Sequence, residues 1–269
     1  MKKLLNILCI TLAVIFTLSL FSGCTPKESP VEDFEYKVHN DSTVSITKYI
    51  GTDKDVVIPS KIENLPVAVI DVAAFSKTNI ASVVIPDSVV TISERSFSNC
   101  EQLKTVTFGS CVKYIEADAF SKCIALENAL LPSSLETLGS KSFSDCKSIK
   151  KVFIPKSVIS WQPGVFINNE ALTDITIENG LKTIPVSSFY NCTSLQEITI
   201  PASIKNIYGL SFNECAALNK IIFEGNAPDL EGICISNKSN STKDITVCYK
   251  LGTTGWDAEV WKKYTLVKQ

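Results

Sequence analysis

Histidine is almost missing from this chain: among 269 residues there is one, His39. A Ser-His-Asp or Cys-His arrangement would have to be built around that single imidazole. Its neighbours Asn40 and Asp41 read as a turn, and the serines fall at periodic positions where a small polar side chain is structural. No C-x-x-C spacing and no glycine-rich phosphate loop occur, which removes the usual zinc and nucleotide signatures. Nothing marks a pair of carboxylates for glycoside hydrolysis. Positive charge is also short, with 26 Lys and Arg against 28 Asp and Glu and no basic stripe, so nucleic acid is a poor partner. The sequence therefore points to no catalytic residue, no metal and no cofactor.

What the chain has in quantity is repetition. Phe75, Phe97, Phe120, Phe143, Phe166, Phe189 and Phe212 stand 22 residues apart once and 23 apart five times. A period in that range signals stacked repeats. Three residues after the Phe comes Cys100, Cys123, Cys146, Cys192 or Cys215, and three further on an aliphatic such as Leu103, Leu126 or Leu195. An alternating pair follows, exemplified by Ile198 and Ile200, then a proline at positions 86, 132, 155 and 201. The alternation says short strand and the proline says where it stops. Two further aliphatics close the unit, as at Ile204 and Ile207. One such unit cannot bury enough apolar surface to offset the ordering of its backbone, so each needs neighbours and the terminal ones need caps.

The spacing A/S-F-x-x-C-x-x-L-x-x-I-x-I-P-x-x-(I/V/L)-x-x-I, in register from about residue 56 to 225, resembles the BspA-like class of bacterial leucine-rich repeats. The resemblance implies a curved, right-handed repeat solenoid, mostly β and coil, with a parallel β-sheet on one face and a cap at each end. It also implies display on a bacterial surface and molecular recognition of an extracellular protein or glycan.

The chain divides accordingly. Residues 1–23, with Lys2 and Lys3 before an apolar run, read as a signal peptide. Phe-Ser-Gly-Cys at 21–24 resembles a lipoprotein cleavage site, which makes Cys24 the lipidated residue and the membrane a partner through that anchor. The alternatives are an ordinary signal peptide or an uncleaved anchor. The expected location is thus exported, lipid-anchored on the outer face of the bacterial cell membrane. Residues 24–33 read as a tether, 34–58 as an N-terminal β cap, 59–225 as the solenoid and 226–269 as a C-terminal cap. In the last segment 237–242 reads as a polar loop, 244–250 as a strand, and Trp256, Val260, Trp261 and Tyr264 fall at helical spacing. One rung is irregular: across 161–180, Trp161, Asn169 and Glu178 replace the usual aliphatic, cysteine and proline. Drift at kept volume and a kink or groove opened for a ligand both account for it.

The five repeat cysteines should stack with side chains parallel, as small hydrophobes rather than disulfides or zinc ligands. Only Cys234 and Cys248 are placed to bridge, and a bond and a free pair are both compatible with the spacing. For recognition, the residues between the two inward aliphatics point out of the sheet. There Leu130 and Phe153 form an apolar spot beside Lys151, Asp174 and Glu197, the candidate ligand-binding face. A passive envelope protein and a surface hydrolase are the competing readings.

Overall fold

The computed structural model describes residues 27–236 and 244–269. The expected signal peptide, Cys24 and the polar loop 237–242 lie outside the described residues. The rest is a parallel β-solenoid of about nine turns with almost no helix. Its strands are short because each rung turns three corners in 22 or 23 residues.

β1 (Phe34–Val38) and β2 (Val44–Tyr49) pair antiparallel, and β2 pairs in parallel with β5 (Leu65–Ile70). β3 (Asp55–Val57) begins the first side, and β4 (Lys61–Ile62) folds back on β5. The first side continues through β6 (Ser82–Val84), β8 (Thr105–Thr107), β10 (Asn128–Leu130), β12 (Lys151–Ile154), β14 (Asp174–Ile177), β16 (Glu197–Ile200) and β18 (Lys220–Phe223). The second side carries β7 (Thr91–Ile92), β9 (Tyr114–Ile115), β11 (Thr137–Leu138), β13 (Ser160–Trp161), β15 (Thr183–Ile184), β17 (Asn206–Tyr208) and β19 (Asp229–Glu231). The two sides together hold parallel ladders, where the sequence led us to expect a sheet on one face. The second ladder is only two or three residues wide, too short for an alternation of apolar residues to announce it.

The third side has no strands, yet it is bonded rung to rung. The N–H groups of Phe97, Phe120 and Phe143 donate to the carbonyls of Ala119, Ser142 and Val165 on the next rung at 2.7–3.0 Å. Each Phe is flanked two residues away on both sides by left-handed backbone, as at Arg95 and Asn99, Lys141 and Asp145, or Ser187 and Asn191. Such a conformation costs about 1–2 kcal/mol at an ordinary residue. It is held because the two corners swing the Phe ring inward while aiming the intervening amides at the neighbouring rung. The rings then stack along the solenoid axis, from Phe75 to Phe212.

Both ends depart from the sequence-based boundaries. Residues 28–33, expected in a tether, are docked: Ser29 N–H donates to Val57 O at 2.8 Å, Val57 N–H donates to Ser29 Oγ, and Glu28 Oε1 accepts from Ser60 N–H. β3 is the outermost strand of its ladder, and these bonds cover its open edge. At the other end the ladders run on past residue 225. β19 pairs β17, β20 (Thr246–Tyr249) pairs β18, and β21 (Thr265–Lys268) pairs β20. The helix expected around Trp256 to Tyr264 is absent. Four-residue turns take its place, with Trp261 N–H bonded to Ala258 O and Tyr264 N–H to Trp261 O. The chain must re-extend at Thr265 to satisfy the edge of β20. The aromatic residues still cover the last rung: Trp256, Trp261 and Tyr264 are buried, the first two against Phe223.

Candidate functional site

In β10 and β12 alternation sends Ala129 and Val152 into the core and Leu130 and Phe153 outward, and the register sets these two directly side by side. Leu130 is 49% exposed. Phe153 lies next to Thr176 of β14. Beside the apolar pair, Lys151 Nζ reaches Asp174 on the next rung at 3.0 Å, and further along Lys220 reaches Glu197 at 3.2 Å. These are exposed pairs, each contributing on the order of 0–1 kcal/mol. The structure thus brings Leu130, Phe153, Lys151 and Asp174 onto one surface, with Glu197 beyond an interruption.

That interruption is the main irregularity of the solenoid. On the first side Thr173 N–H donates to Lys150 O, and Asn219 N–H to Gln196 O, but the intervening step from Gln196 N–H to Thr173 O is not made. β14 and β16 consequently belong to separate sheets, as do β13 and β15 on the second side. Asp174 and Glu197 would face each other across this step, and like charges directly opposite destabilise a ladder; each pairs with the lysine on its far side instead. On the second side Gln162 N–H donates to Leu138 O, whereas the matching residue one rung later is Pro185, which has no N–H. Trp161 adds bulk to an aliphatic position and leans on Phe189, with ring centroids 5.9 Å apart. The stacked Phe rings respond: their spacing is 4.7–5.1 Å from Phe75 to Phe143 and 5.4–5.7 Å beyond. The third side stays bonded and acts as the spine of the wedge. On the first side the wedge is a groove of about 480 Å³ between β14 and β16, where Ile175 is 9% exposed. The break thus follows directly on the irregular rung at 161–180. Pro185 was missed from sequence; its signal was a proline in a column otherwise occupied by donors.

The remaining candidate residues sit apart from this region. His39 Nε2 lies 3.0 Å from Ser45 Oγ, but Ser45 is buried and Asp41 accepts from Thr43 instead, so no triad geometry forms. Among the described residues no group of three His, Cys, Asp or Glu side chains could hold a metal ion. The repeat thiols are more than small hydrophobes: Cys100, Cys123, Cys146, Cys192 and Cys215 each lie 3.0–3.4 Å from the carbonyl of the corner Phe of the preceding rung, Phe75, Phe97, Phe120, Phe166 and Phe189. Asn169 keeps the bond in the irregular rung, Nδ2 donating to Phe143 O at 3.0 Å. Burial pushes the Cys123 and Cys192 thiols well up, and Cys215 to about 12, which withholds the nucleophilic thiolate. Cys234 and Cys248 are both free. The spacing that suggested a bridge fails because they occupy different sides. Cys234 takes the serine position before the third-side aromatic and points its thiol at Ile207 O, while Cys248 stands in the outward column of the first side between Ile222 and Val267.

Comparison with known proteins gives a consistent picture. The pattern of the BspA type leucine rich repeat region matches residues 68–185 and 162–258, in six copies. A leucine-rich repeat protein of T. pallidum is similar in structure with a TM-score of 0.58 and 29% identity, over 77% of this chain and 86% of that one. A leucine-rich repeat protein from Bacteroides ovatus shares the fold with a TM-score of 0.64 at 22% identity, over 90% of this chain and 76% of that one. No curated protein sequence matches the chain.

Proposed function

Because this chain belongs to the BspA-type leucine-rich repeat family of bacterial surface-type repeat proteins, we propose that it binds another macromolecule, an extracellular protein or glycan, through the outer face of its first side. The observation that carries this reading is the pairing of the exposed Leu130 with Phe153, beside the Lys151–Asp174 ion pair. An apolar spot rimmed by charges of both signs suits a partner with mixed surface chemistry. Recognition there proceeds by shape and polar contact, without catalysis. In this reading Cys24 carries the lipid that holds the protein on the outer face of the cell membrane, residues 1–23 are removed, and the few residues before 28 are the tether.

A passive envelope role is the competing reading, and one observation favours it: the charges of this face pair with each other along the rungs. The full chain, purified in detergent and immobilised, is offered extracellular-matrix proteins and glycans beside the double variant Leu130→Asp, Phe153→Asp. Capture by the parent and loss in a variant that melts normally supports sheet-face recognition. No capture by either favours the passive role, and equal capture by both moves the binding face elsewhere.

A further inference from the structure

On the second side the same wedge opens a pocket of about 280 Å³, lined by Lys156, Ile159, Trp161, Gly180, Lys182 and Thr183 among others. Its wall is an indole. Both faces of Phe189 are taken by the stacked rings of Phe166 and Phe212, so the Trp161 contact at 80° sets the edge of Phe189 against the indole. The Trp161 Nε1 atom has no hydrogen-bond partner. At the mouth stands Ile159, 83% exposed, in a column that carries Glu136 and Lys182 on the adjacent rungs and is apolar only further back, at Ala68 and Val90. Among the described residues Lys182 forms no ion pair, and Lys156 has only Glu178 at 3.8 Å. Since Ile159 N–H donates to Glu136 O on one step and Lys205 N–H to Lys182 O on another, the missing step between them leaves Lys182 N–H and Ile159 C=O without a backbone partner beside the pocket. Gly180, at φ +145°, keeps one wall bare: a Cβ there would stand 3.0 Å from Lys156 Cβ.

We propose that this pocket binds a carboxylate-bearing pyranose, a saccharide unit of the uronic acid type. Trp161 and Ile159 offer apolar surface to the C–H face of the ring. Lys182 and Lys156 offer the cations for its carboxylate, and charge-assisted bonds of this kind are the strong ones. The Thr183 hydroxyl, the free Lys182 N–H and the free Ile159 carbonyl match the donor and acceptor character of ring hydroxyls. The volume is just below the range of about 300–1,000 Å³ typical of ligand sites, which suits one ring rather than a buried chain. An acidic peptide would satisfy the lysines but would leave the indole and Ile159 without a ring to cover. This site is distinct from the outer face of the first side, so the Leu130→Asp, Phe153→Asp variant retains it.

The test is a titration of the full chain, with tryptophan indoles labelled by ¹⁵N, using trigalacturonate, neutral galactotriose and a glutamate-rich peptide. The Trp161 indole signal, assigned with Trp161→Phe, is expected to move with trigalacturonate while those of the buried Trp256 and Trp261 stay. Galactotriose binds at least about tenfold more weakly, and Lys182→Gln weakens trigalacturonate by about tenfold, as loss of a charge-assisted bond predicts. Trp161→Leu restores the aliphatic type of its own column, so it melts as a folded chain and loses binding. No shift with trigalacturonate, undiminished binding in Trp161→Leu, or equal binding of the peptide would each overturn the proposal.

Discussion

Replacing Asn169 by cysteine should stabilise this protein, although Asn169 is fully buried and hydrogen-bonded. Its amide nitrogen donates to Phe143 O at 3.0 Å, but its Oδ1 has no partner. A buried unpaired oxygen costs about 1–3 kcal/mol. A thiol at this position has two precedents beside it, Cys146 at 3.1 Å from Phe120 O and Cys192 at 3.4 Å from Phe166 O. Exchange of the amide for the weaker S–H donor gives back about 0.5–1 kcal/mol. The net gain is about 1 kcal/mol, or roughly 2–4 °C in Tm for a chain of this size. Asn169→Ala also removes Oδ1, but it orphans the Phe143 carbonyl and leaves a void, and should fall about 1–2 kcal/mol below the parent. Urea unfolding followed by far-ultraviolet circular dichroism and by tryptophan fluorescence measures both variants, and coincident transitions license the comparison. The reasoning is refuted if the cysteine variant is no more stable than the parent, because the unpaired Oδ1 would then not be costing what it should, and a cysteine variant as unstable as the alanine variant would show that the thiol does not replace the amide as donor.

Four further outcomes follow from the corners, the thiols and the leader. Lys141→Gly, which copies Gly164 in the same left-handed column, should raise stability by up to about 1 kcal/mol, the relief of backbone strain exceeding the added chain entropy; a lower urea midpoint would contradict it. Burial raises the folded-state pKa of Cys215 to about 12 and of Cys234 to about 11, so folding favours the protonated thiols. Their contribution is whole below the ordinary thiol value and is lost as pH rises toward those values. The urea midpoint should therefore fall above about pH 9, with a slope approaching about 1.4 kcal/mol per pH unit for each thiol, and a flat profile to pH 11 would exclude this. At pH 8 a thiol reagent should modify Cys111, which is exposed, and leave the buried repeat cysteines until the chain unfolds, as mass mapping would read. Finally, Cys24→Ala should abolish incorporation of an alkyne-tagged fatty acid and release the protein from the membrane fraction; retained label would place the anchor elsewhere.

The columns of the repeat were legible because each is set by one local demand. Phe75 to Phe212, the five cysteines and most of the alternating aliphatics are buried in the positions their spacing implied, Val106 and Phe108 being only half-buried. The outward direction of Leu130 and Phe153 followed from the two-residue period of a strand. The second ladder was harder to see, since Thr183 and Ile184 offer too few residues to show alternation. The docking of Ser29 and Glu28 was invisible for another reason: their bonds run to Val57 and Ser60, and nothing in a Pro- and Glu-containing stretch states that an open strand edge lies nearby. At Trp256 to Tyr264 the spacing gave the right buried face and the wrong backbone, because the same residues can present one face from consecutive turns.

Sequence by itself determined the stacked architecture, since a 23-residue period in register leaves each unit unable to bury its apolar residues except against copies of itself. It also marked 161–180 as irregular. Only the tertiary structure decided what that irregularity does. The wedge between β13 and β15 and between β14 and β16 depends on Trp161 meeting Phe189, on Pro185 lacking the N–H its ladder position requires, and on Asp174 facing Glu197. Each acts between rungs, and its effect depends on the residue that faces it on the next rung. A linear reading sees the columns, whereas the spacing between rungs is settled by how neighbouring columns fit in three dimensions.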